Sequence, residues 1–374
     1  MEPTVGAYIV EEPDLAVEEM YIRAFIGSKK CKNKFASYLG FYDMDEGIRE
    51  AEEAAIAVSY THLRTDAGGC GGGGKMKERA MKEGNIKARI KAAVVRSDIL
   101  SAFRRRAVAG MGEISFRIMK RSYGQTAYGD RIRAFRGRYE GKRCFIIGNG
   151  PSLRPEDLDL LKQEYTFGAN RIYLMYGRTL WRPTFYVCQD KDMLKAEQMN
   201  ITGGKAGVDP CSCFIGYNSM KKTGTRFPDS NPYLMDNRAA LWRKEGLPFS
   251  FDCERQVADG TTVTYSSIQL AVYMGFTRIY LLGMDHHFPH TIDKNRRITY
   301  DAAVRSHFDP RYKDIYETVE QKRKIVLAVY DQEMAEAAYK SALAAAGSRG
   351  VGIFNATRGG ELEVFPRVRL EQVI

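Results

Sequence analysis

Short apolar runs alternate with amphipathic segments from residue 140 to residue 374. The runs are rich in Ile, Leu, Val and aromatic residues and predict buried strands, whereas the segments between them carry apolar residues at helical spacing. Predicted strands are 143–147, 165–167, 183–188, 213–216, 278–282 and 351–354, and predicted helices are 155–162, 262–274 and 331–345. This alternation predicts the α/β class, with a mostly parallel sheet covered by helices on both faces.

The segment before this region has a different pattern. Residues 75–122 are mostly helix formers, and Ile86, Ile90 and Val94 fall near helical spacing. Residues 75–143 hold 20 Lys and Arg against 6 Asp and Glu, so the +11 of the whole chain is concentrated there. We expect basic helices that pack on the following domain or touch an anionic membrane surface peripherally through 75–122. Nucleic acid is not an expected partner, because stacking aromatics are few.

The first 74 residues form a third region, which is acidic. Six of the seven residues from Gly68 to Gly74 are glycine, which is typical of a flexible linker. The string VSYTHLR at 58–64 resembles a translated sequencing adapter, so an alternative is that residues 1–74 come from a chimeric reading frame. We therefore divide the chain into 1–74, a basic helical segment 75–139 and a domain 140–374. The acidic start and the lack of an ~18-residue apolar run favour a cytoplasmic protein, alternatively one peripheral to the inner face of the membrane.

The turn GNGPSL at residues 148–153 is the first candidate for ligand binding. Ligands of parallel sheets bind beyond the carboxyl ends of the strands, and this turn follows the first predicted strand. Gly148 and Gly150 permit a sharp turn and close approach of backbone N–H groups to a phosphate, while Asn149 and Ser152 can add side-chain hydrogen bonds. A structural turn that holds no ligand is the alternative.

Acidic and imidazole side chains follow two other strands. Asp190 and Asp192 come after the third strand, where an Asp-x-Asp pair can hold Mg²⁺ against a diphosphate; Asp157-Leu-Asp159, by contrast, is expected to be helix surface. His286 and the candidate catalytic residues that follow the fifth strand suit proton abstraction from an acceptor hydroxyl. These candidates are Asp285, His287, His290 and His307. Metal ligation by the histidines and simple packing are the alternatives.

Four motifs in the same order resemble the MptE-like family, named after the archaeal 6-hydroxymethylpterin diphosphokinase. They are KRCFIIGNGPSLRPEDLDLL, FGANRIYL, TVTYSSIQLAVYMGFTRIYLLGMDHHF and IFNATRGGELEVF, and they span about residues 140–370. The order is also similar to that of small bacterial sialyltransferases that open with GNGPSL. The resemblance implies a Rossmann-like sheet that binds a nucleotide, namely ATP in the diphosphokinase and CMP-sialic acid in the sialyltransferases.

The resemblance also implies roles for particular residues. Asn170 matches an asparagine that contacts the donor, Asp285 matches the Asp of an SGID-type motif, and His287 stands where the sialyltransferases have a tyrosine. Their catalytic histidine corresponds to either His290 or His307. The candidate nucleotide-binding residues are Gly148, Asn149, Gly150, Ser152, Asn170, Asp190, Thr261 and Thr262. For the two threonines, a helix N-cap is the alternative.

The expected function is therefore nucleotide-dependent transfer. We expect transfer of a glycosyl group from a CMP-sugar or another nucleotide sugar to a glycan acceptor, in bacterial surface polysaccharide synthesis. The alternatives are diphosphoryl transfer from ATP to a pterin alcohol with Mg²⁺, and a nucleotide-binding module without catalysis.

Overall fold

A computed structural model describes residues 112–202, 204, 207–238, 247–287, 290–292, 298–300, 304–313 and 332–374. The first 74 residues, with the glycine run at 68–74, and most of the basic segment lie outside the described residues. The helices are α1 (residues 112–124), α2 (Tyr128–Arg133), α3 (Pro155–Leu160), α4 (Lys191–Thr202), α5 (Tyr217–Thr223), α6 (Val263–Tyr273) and α7 (Gln332–Gly347). The strands are β1 (Arg143–Ile147), β2 (Tyr165–Ala169), β3 (Phe185–Cys188), β4 (Cys213–Gly216), β5 (Asn231–Tyr233), β6 (Met235–Asp236), β7 (Val257–Ala258), β8 (Arg278–Leu282), β9 (His290–Ile292), β10 (Ile298–Tyr300) and β11 (Gly352–Asn355).

Seven of these strands form one parallel sheet, in the order β11-β8-β1-β2-β3-β4-β5. Every neighbouring pair in it is parallel, and the register of β1 on β8 runs from Arg143↔Arg278 to Ile147↔Leu282. The predicted α/β class and the Rossmann-like, mostly parallel sheet are confirmed. β6 with β7, and β9 with β10, form two separate two-stranded sheets.

Alternate residues of the strands supply two hydrophobic cores, one on each face of the sheet. Along β1, Cys144 and Ile146 belong to one core, and Phe145 and Ile147 belong to the other. This is the two-residue period of a strand that is buried on both faces, which is why the strands read as continuous apolar runs. Helices α6 and α7 cover the first core, whereas α1, α3 and α4 cover the second.

The described end of the basic segment packs on the sheet. Phe116, Met119 and Tyr123 of α1 are buried in the second core, and Ile132 of α2 is buried in the first. The expectation of helices that pack on the following domain holds for these residues. Within the described part of the chain, no helix is long and apolar enough to cross a bilayer.

The chain reverses its direction of winding at the centre of the sheet. From β1 it continues through α3, on the face of the second core, to β2; from β8 it continues through α7, on the opposite face, to β11. After these two turns, the chain therefore leaves the adjacent strands β1 and β8 towards opposite faces of the sheet. Such a switch point leaves a crevice at the sheet edge, where α/β proteins bind their ligands.

Candidate functional site

Two loops meet at this switch point: the GNGPSL turn after β1, and residues 283–287 after β8. The parallel pairing continues beyond the strands, because Gly148 N–H donates to Leu282 O at 2.7 Å and Gly150 N–H donates to Gly283 O at 3.0 Å. The two loops therefore form one closely packed unit at the edge of the sheet.

The glycines of the turn are required by this close approach. A Cβ on Gly148 would overlap Gly283 O and lie 2.7 Å from Met284 Sδ. A Cβ on Gly150 would overlap the Asp285 carboxylate and lie 2.6 Å from Gly283 O. Neither glycine has a positive φ. Contact with the β8 loop, rather than backbone conformation, therefore explains both residues.

Asp285 and Ser152 are bound to each other. The Ser152 hydroxyl donates to Asp285 Oδ2 at 2.8 Å, and the Ser152 N–H donates to the same carboxylate at 3.2 Å. Burial raises the pKa of Asp285, while the bonds from Ser152 oppose that shift. The arrangement places a carboxylate inside the crevice with two donors on one side of it.

Three backbone donors of the turn are already hydrogen-bonded within the protein. Gly148 N–H donates to the end of β8, and the N–H groups of Gly150 and Ser152 donate to the loop after β8; Pro151 has no N–H. Phosphate contacts from these three amides would require the bonds to break first.

Two asparagine side chains lie at this end of the sheet, Asn149 in the turn and Asn170 after β2. Asn149 follows β1 and donates through Nδ2 to Ala169 O at 3.2 Å, whereas Asn170 follows β2 and its backbone oxygen accepts from the Tyr186 hydroxyl at 2.7 Å. Among the described residues, the Oδ1 atoms of both asparagines are buried and have no hydrogen-bond partner. Two orphaned acceptors at adjacent strand ends are an unusual cost for a folded protein unless a ligand supplies donors.

Residues 304–313 lie against these asparagines. Phe308 N–H donates to Asn149 O at 3.0 Å, and the Arg171 guanidinium donates to Tyr312 O at 3.2 Å and also to Arg311 O. The His307 ring stacks on Tyr312, with 3.8 Å between ring centroids. His307 thus joins Asn149 and Asn170 at the same end of the sheet.

Strained backbone marks the same edge. Asn170, Thr261 and His286 have positive φ angles of 52°, 65° and 54°. Asn170 ends β2, Thr261 precedes α6 and His286 follows β8. A positive φ is costly for the β-branched Thr261, and such strain is concentrated at binding and catalytic sites.

Thr261 and Thr262 take local roles in this structure. Thr262 is the N-cap of α6, since its Oγ1 accepts from Thr264 N–H at 3.2 Å. Thr261 N–H donates to Asp259 Oδ1 at 2.9 Å. The first turn of α6 nevertheless reaches the crevice, because the Thr264 hydroxyl contacts Met284 Sδ at 3.5 Å.

Asp190 and Asp192 do not form a cation site between them. Asp190 caps α4, accepting from Met193 N–H at 2.8 Å, and burial raises the pKa of its carboxyl. Asp192 pairs with the Lys191 ammonium at 2.8 Å. Within the described residues, no three His, Cys, Asp or Glu side chains converge as metal ligands. The expected Mg²⁺ stays a prediction for which these two carboxylates supply no donor set.

The histidines after β8 differ in their surroundings. His286 is buried and its Nε2 lies 3.3 Å from Glu336 Oε1; burial lowers the pKa of its imidazole. His287 is half-exposed and its Nδ1 lies 2.6 Å from Glu361 Oε1. The backbone of His290 pairs with Tyr300 in the β9-β10 hairpin, and its side chain is outside the described residues.

Arg358, which follows β11, is paired with two carboxylates. Its guanidinium bonds Asp157 at 2.6 Å and Glu371 at 2.8 Å. Asp157 is 2% exposed, so the expectation that it lies on a helix surface is wrong: α3 turns this residue towards the β11 loop. The neighbouring Asp159 is at the surface beside Lys162, as expected.

Some contributors to the site carry no sequence signal. Tyr312, Glu336 and Glu361 reach this end of the sheet only because segments distant in the chain pack there, whereas Arg171 directly follows Asn170. Asp190 as a helix cap did have a signal, since an Asp directly before a helix is a typical N-cap.

A parallel sheet covered by helices on both faces, with a switch in winding between β1 and β8, defines this chain as a Rossmann-like α/β protein. Within that class, residues 120–291 match the family model described as 6-hydroxymethylpterin diphosphokinase MptE-like. The resemblance seen in the GNGPSL turn and the 262–288 block is thereby confirmed as a match to that family model over residues 120–291.

A solved structure that is similar to the chain is the MAf glycosyltransferase from Magnetospirillum magneticum AMB-1. The identity is 14% and the TM-score 0.36, with 65% of this chain and 38% of that chain covered. The chain therefore spans well under half the length of that protein. Among curated proteins, no sequence matches the chain.

Proposed function

We propose that the domain is a nucleotide-dependent transferase that moves a glycosyl group from a nucleotide-activated sugar to a glycan acceptor in bacterial surface polysaccharide synthesis. The observation that carries this proposal is a pair of buried amide oxygens at the switch point, Asn149 Oδ1 and Asn170 Oδ1, which have no hydrogen-bond partner among the residues that the structure describes. The motif order shared with the sialyltransferases favours a CMP-sugar or another nucleotide sugar as the donor.

The chemistry of the two oxygens indicates what they would bind. The Asn149 amide is oriented by its bond to Ala169 O, so its oxygen must be the group that faces the ligand. An amide oxygen accepts from hydroxyl or N–H groups and repels phosphate oxygens. β1 and β2 lie ~4.8 Å apart, as hydrogen-bonded neighbours do, so both amides can reach one ribose or one base.

Asp285 adds a third acceptor to the crevice. Its carboxylate is already held by Ser152 and has further lone pairs for ligand donors. A sugar ring offers several hydroxyl groups to such acceptors, whereas a diphosphate offers none. This acceptor-rich lining supports a ligand with hydroxyl or N–H groups, such as the ribose, the base or the sugar of a nucleotide sugar.

The runner-up is diphosphoryl transfer from ATP to a pterin alcohol, and the family match over 120–291 supports it. This reaction would use Mg²⁺, for which the described residues supply no cluster of ligands. A nucleotide-binding module without catalysis is the third candidate. The protein would act in the cytoplasm, with the basic segment 75–122 in contact with an anionic membrane surface.

Calorimetry of the full chain against CMP, UDP, ATP and their sugar derivatives tests the proposal. Asn149→Ala removes one acceptor, and Asn170→Gly removes the other while keeping a residue that tolerates a positive φ. We expect each substitution to weaken pyrimidine nucleotide binding by roughly 3- to 10-fold, the worth of one hydrogen bond. Gln163→Ala removes an exposed amide just before β2, at the amino ends of the strands and away from the proposed site. It is the matched control and should bind the nucleotides as the wild type does.

The outcomes separate the three candidates. Tight ATP binding with no affinity for CMP, UDP or their sugars would reject glycosyl transfer in favour of the diphosphokinase reaction. Nucleotide binding that both asparagine substitutions leave unchanged would remove the ligand from this crevice. Binding with no turnover of any donor would indicate the module without catalysis.

A further inference from the structure

His287 is the histidine of this edge whose contacts leave one ring nitrogen available. Its Nδ1 lies 2.6 Å from Glu361 Oε1, and within the described part of the chain its Nε2 has no hydrogen-bond partner. The side chain is 47% exposed, so a substrate can reach the ring. It follows Asp285, whose carboxylate lies in the crevice with Ser152.

Glu361 is fixed in this position by the backbone of the loop that it faces. Glu361 N–H donates to Asp285 O at 2.7 Å, which closes the turn after β11 onto the loop after β8. Gly360 permits the closure: its φ is +74°, and a Cβ there would lie 2.7 Å from Asp285 O. The backbone of Glu361 thus contacts Asp285, and its side chain contacts His287. An incidental surface ion pair would have no such second attachment.

The chemistry of the pair fixes the state of the ring. An ionised carboxylate can only accept, so the 2.6 Å contact requires a proton on Nδ1. A neutral imidazole that carries its proton on Nδ1 has its lone pair on Nε2. Glu361 therefore selects the tautomer in which the outward nitrogen is a base.

We propose that Glu361 is a positioning residue that holds His287 as the Nδ1–H tautomer, so that His287 Nε2 is the general base of the reaction. This inference rests on the proposed glycosyl transfer. The acceptor hydroxyl gives its proton to Nε2 while its oxygen bonds the anomeric carbon of the donor. The bond from that carbon to the nucleotide phosphate breaks, and its electron pair leaves on the phosphate oxygen. Glu361 balances the positive charge on the imidazolium.

The other described histidines are less suited to this role. His286 is 3% exposed at its side chain, and it packs between Glu336 and the Tyr339 ring, with 6.1 Å between ring centroids. His307 is stacked on Tyr312 and its Nδ1 lies 3.0 Å from Ser306 Oγ. A neutral hydroxyl can donate or accept, so Ser306 does not select one tautomer of His307.

Long-range ¹H–¹⁵N NMR of histidine-labelled full-length protein reads the tautomer without any substrate. We expect the neutral His287 ring to be protonated at Nδ1 in the wild type. The preference should be lost in Glu361→Ala and partly kept in Glu361→Gln, whose amide oxygen can still accept. An Nε2–H tautomer in the wild type, or an unchanged tautomer in Glu361→Ala, would overturn the proposal whether or not turnover is found.

Kinetics with a turned-over nucleotide sugar give a second readout. Loss of a general base costs ~10²- to 10⁴-fold, so we expect His287→Ala to lower kcat within that range, and Glu361→Ala to lower it by a smaller factor with KM nearly unchanged. Asp130→Ala, which removes an exposed carboxylate paired with Arg133, is the control for loss of a surface charge. A fall in kcat in Glu336→Ala but not in Glu361→Ala would assign the role to His286 instead. Absence of all turnover, with the expected tautomer intact, would count against the proposed function and not against the pairing.

Discussion

Gly150→Ala tests the packing of the two loops at the switch point. In the folded protein the new methyl group would overlap the Asp285 carboxylate and lie 2.6 Å from Gly283 O, whereas carbon atoms in favourable contact are ~3.5–4.0 Å apart. The Gly283 oxygen cannot move independently, because it accepts from Gly150 N–H at 3.0 Å. The substitution must therefore push the β1 and β8 loops apart.

The expected cost follows from overpacking in a buried site. Forcing an extra methyl group into a close-packed region costs about 1–3 kcal/mol. In a unit the size of residues 116–374, each kcal/mol lowers Tm by roughly 2–4 °C, so we expect a decrease of roughly 2–12 °C. Nucleotide binding should weaken as well, because Asn149 lies in the displaced turn.

Thermal unfolding followed by circular dichroism measures the effect, with Gly177→Ala as the matched control. Gly177 has no atom within 4 Å of an added Cβ and no positive φ, so this variant should unfold near the wild-type temperature. In an Asp285→Ala background, the cost of Gly150→Ala should shrink, since the overlapping carboxylate is gone and only Gly283 O remains. Equal Tm values for Gly150→Ala, Gly177→Ala and the wild type would refute the close approach of the two loops.

Two further predictions concern pH. Burial raises the pKa of Asp285 above its unfolded value of 3.8, so the folded state binds this proton more tightly and the ionised carboxylate lowers the free energy of unfolding as pH rises above about 4. Asp285→Asn should therefore be more stable than the wild type in urea unfolding at pH 7, should lose this advantage towards pH 4, and should lose activity. A difference in stability that does not depend on pH would contradict the raised pKa of Asp285. Burial, together with the nearby Lys191 charge, lowers the pKa of Lys222 from 10.5 to about 8. The free energy of unfolding should therefore rise with pH between about pH 8 and pH 10. Lys222→Met should remove that rise, and an identical pH dependence in both proteins would show that the ammonium is not buried.

The sequence predicted the strands of the central sheet because they are buried on both faces. The observed strand Arg143–Ile147 coincides with its apolar run, as does Arg278–Leu282. β5 was missed because Asn231-Pro232-Tyr233 has no apolar run: this strand lies at the sheet edge and is held by its pairing with β4. The local pattern of apolar residues identifies strands that are buried on both faces. An edge strand such as β5 forms through its hydrogen bonds to the neighbouring strand, which that pattern does not show.

The predictions for the site depend on the same distinction. The rule that ligands bind beyond strand ends directed attention to Asn149 and Asp285, and the family resemblance added Asn170; the structure brings all three to the same end of the sheet. The reason for the glycines could not be deduced, because the atoms that exclude a side chain at Gly148 and Gly150 belong to a loop more than 130 residues further along the chain. The cation site at Asp190 and Asp192 stays a prediction; the structure shows Asp190 as a helix cap and Asp192 paired with Lys191.

By itself, the sequence determined the α/β class, the central strands, the MptE-like resemblance and the edge of the sheet where chemistry should be sought. These properties are encoded locally, in the period of apolar residues and in short motifs that follow strand ends. The tertiary structure decided which polar groups are satisfied and which face the crevice. It left two asparagine oxygens without partners, closed Asp285 onto Ser152 and brought Glu361 to His287. Those outcomes depend on contacts between segments far apart in the chain, and no local pattern of residues specifies them.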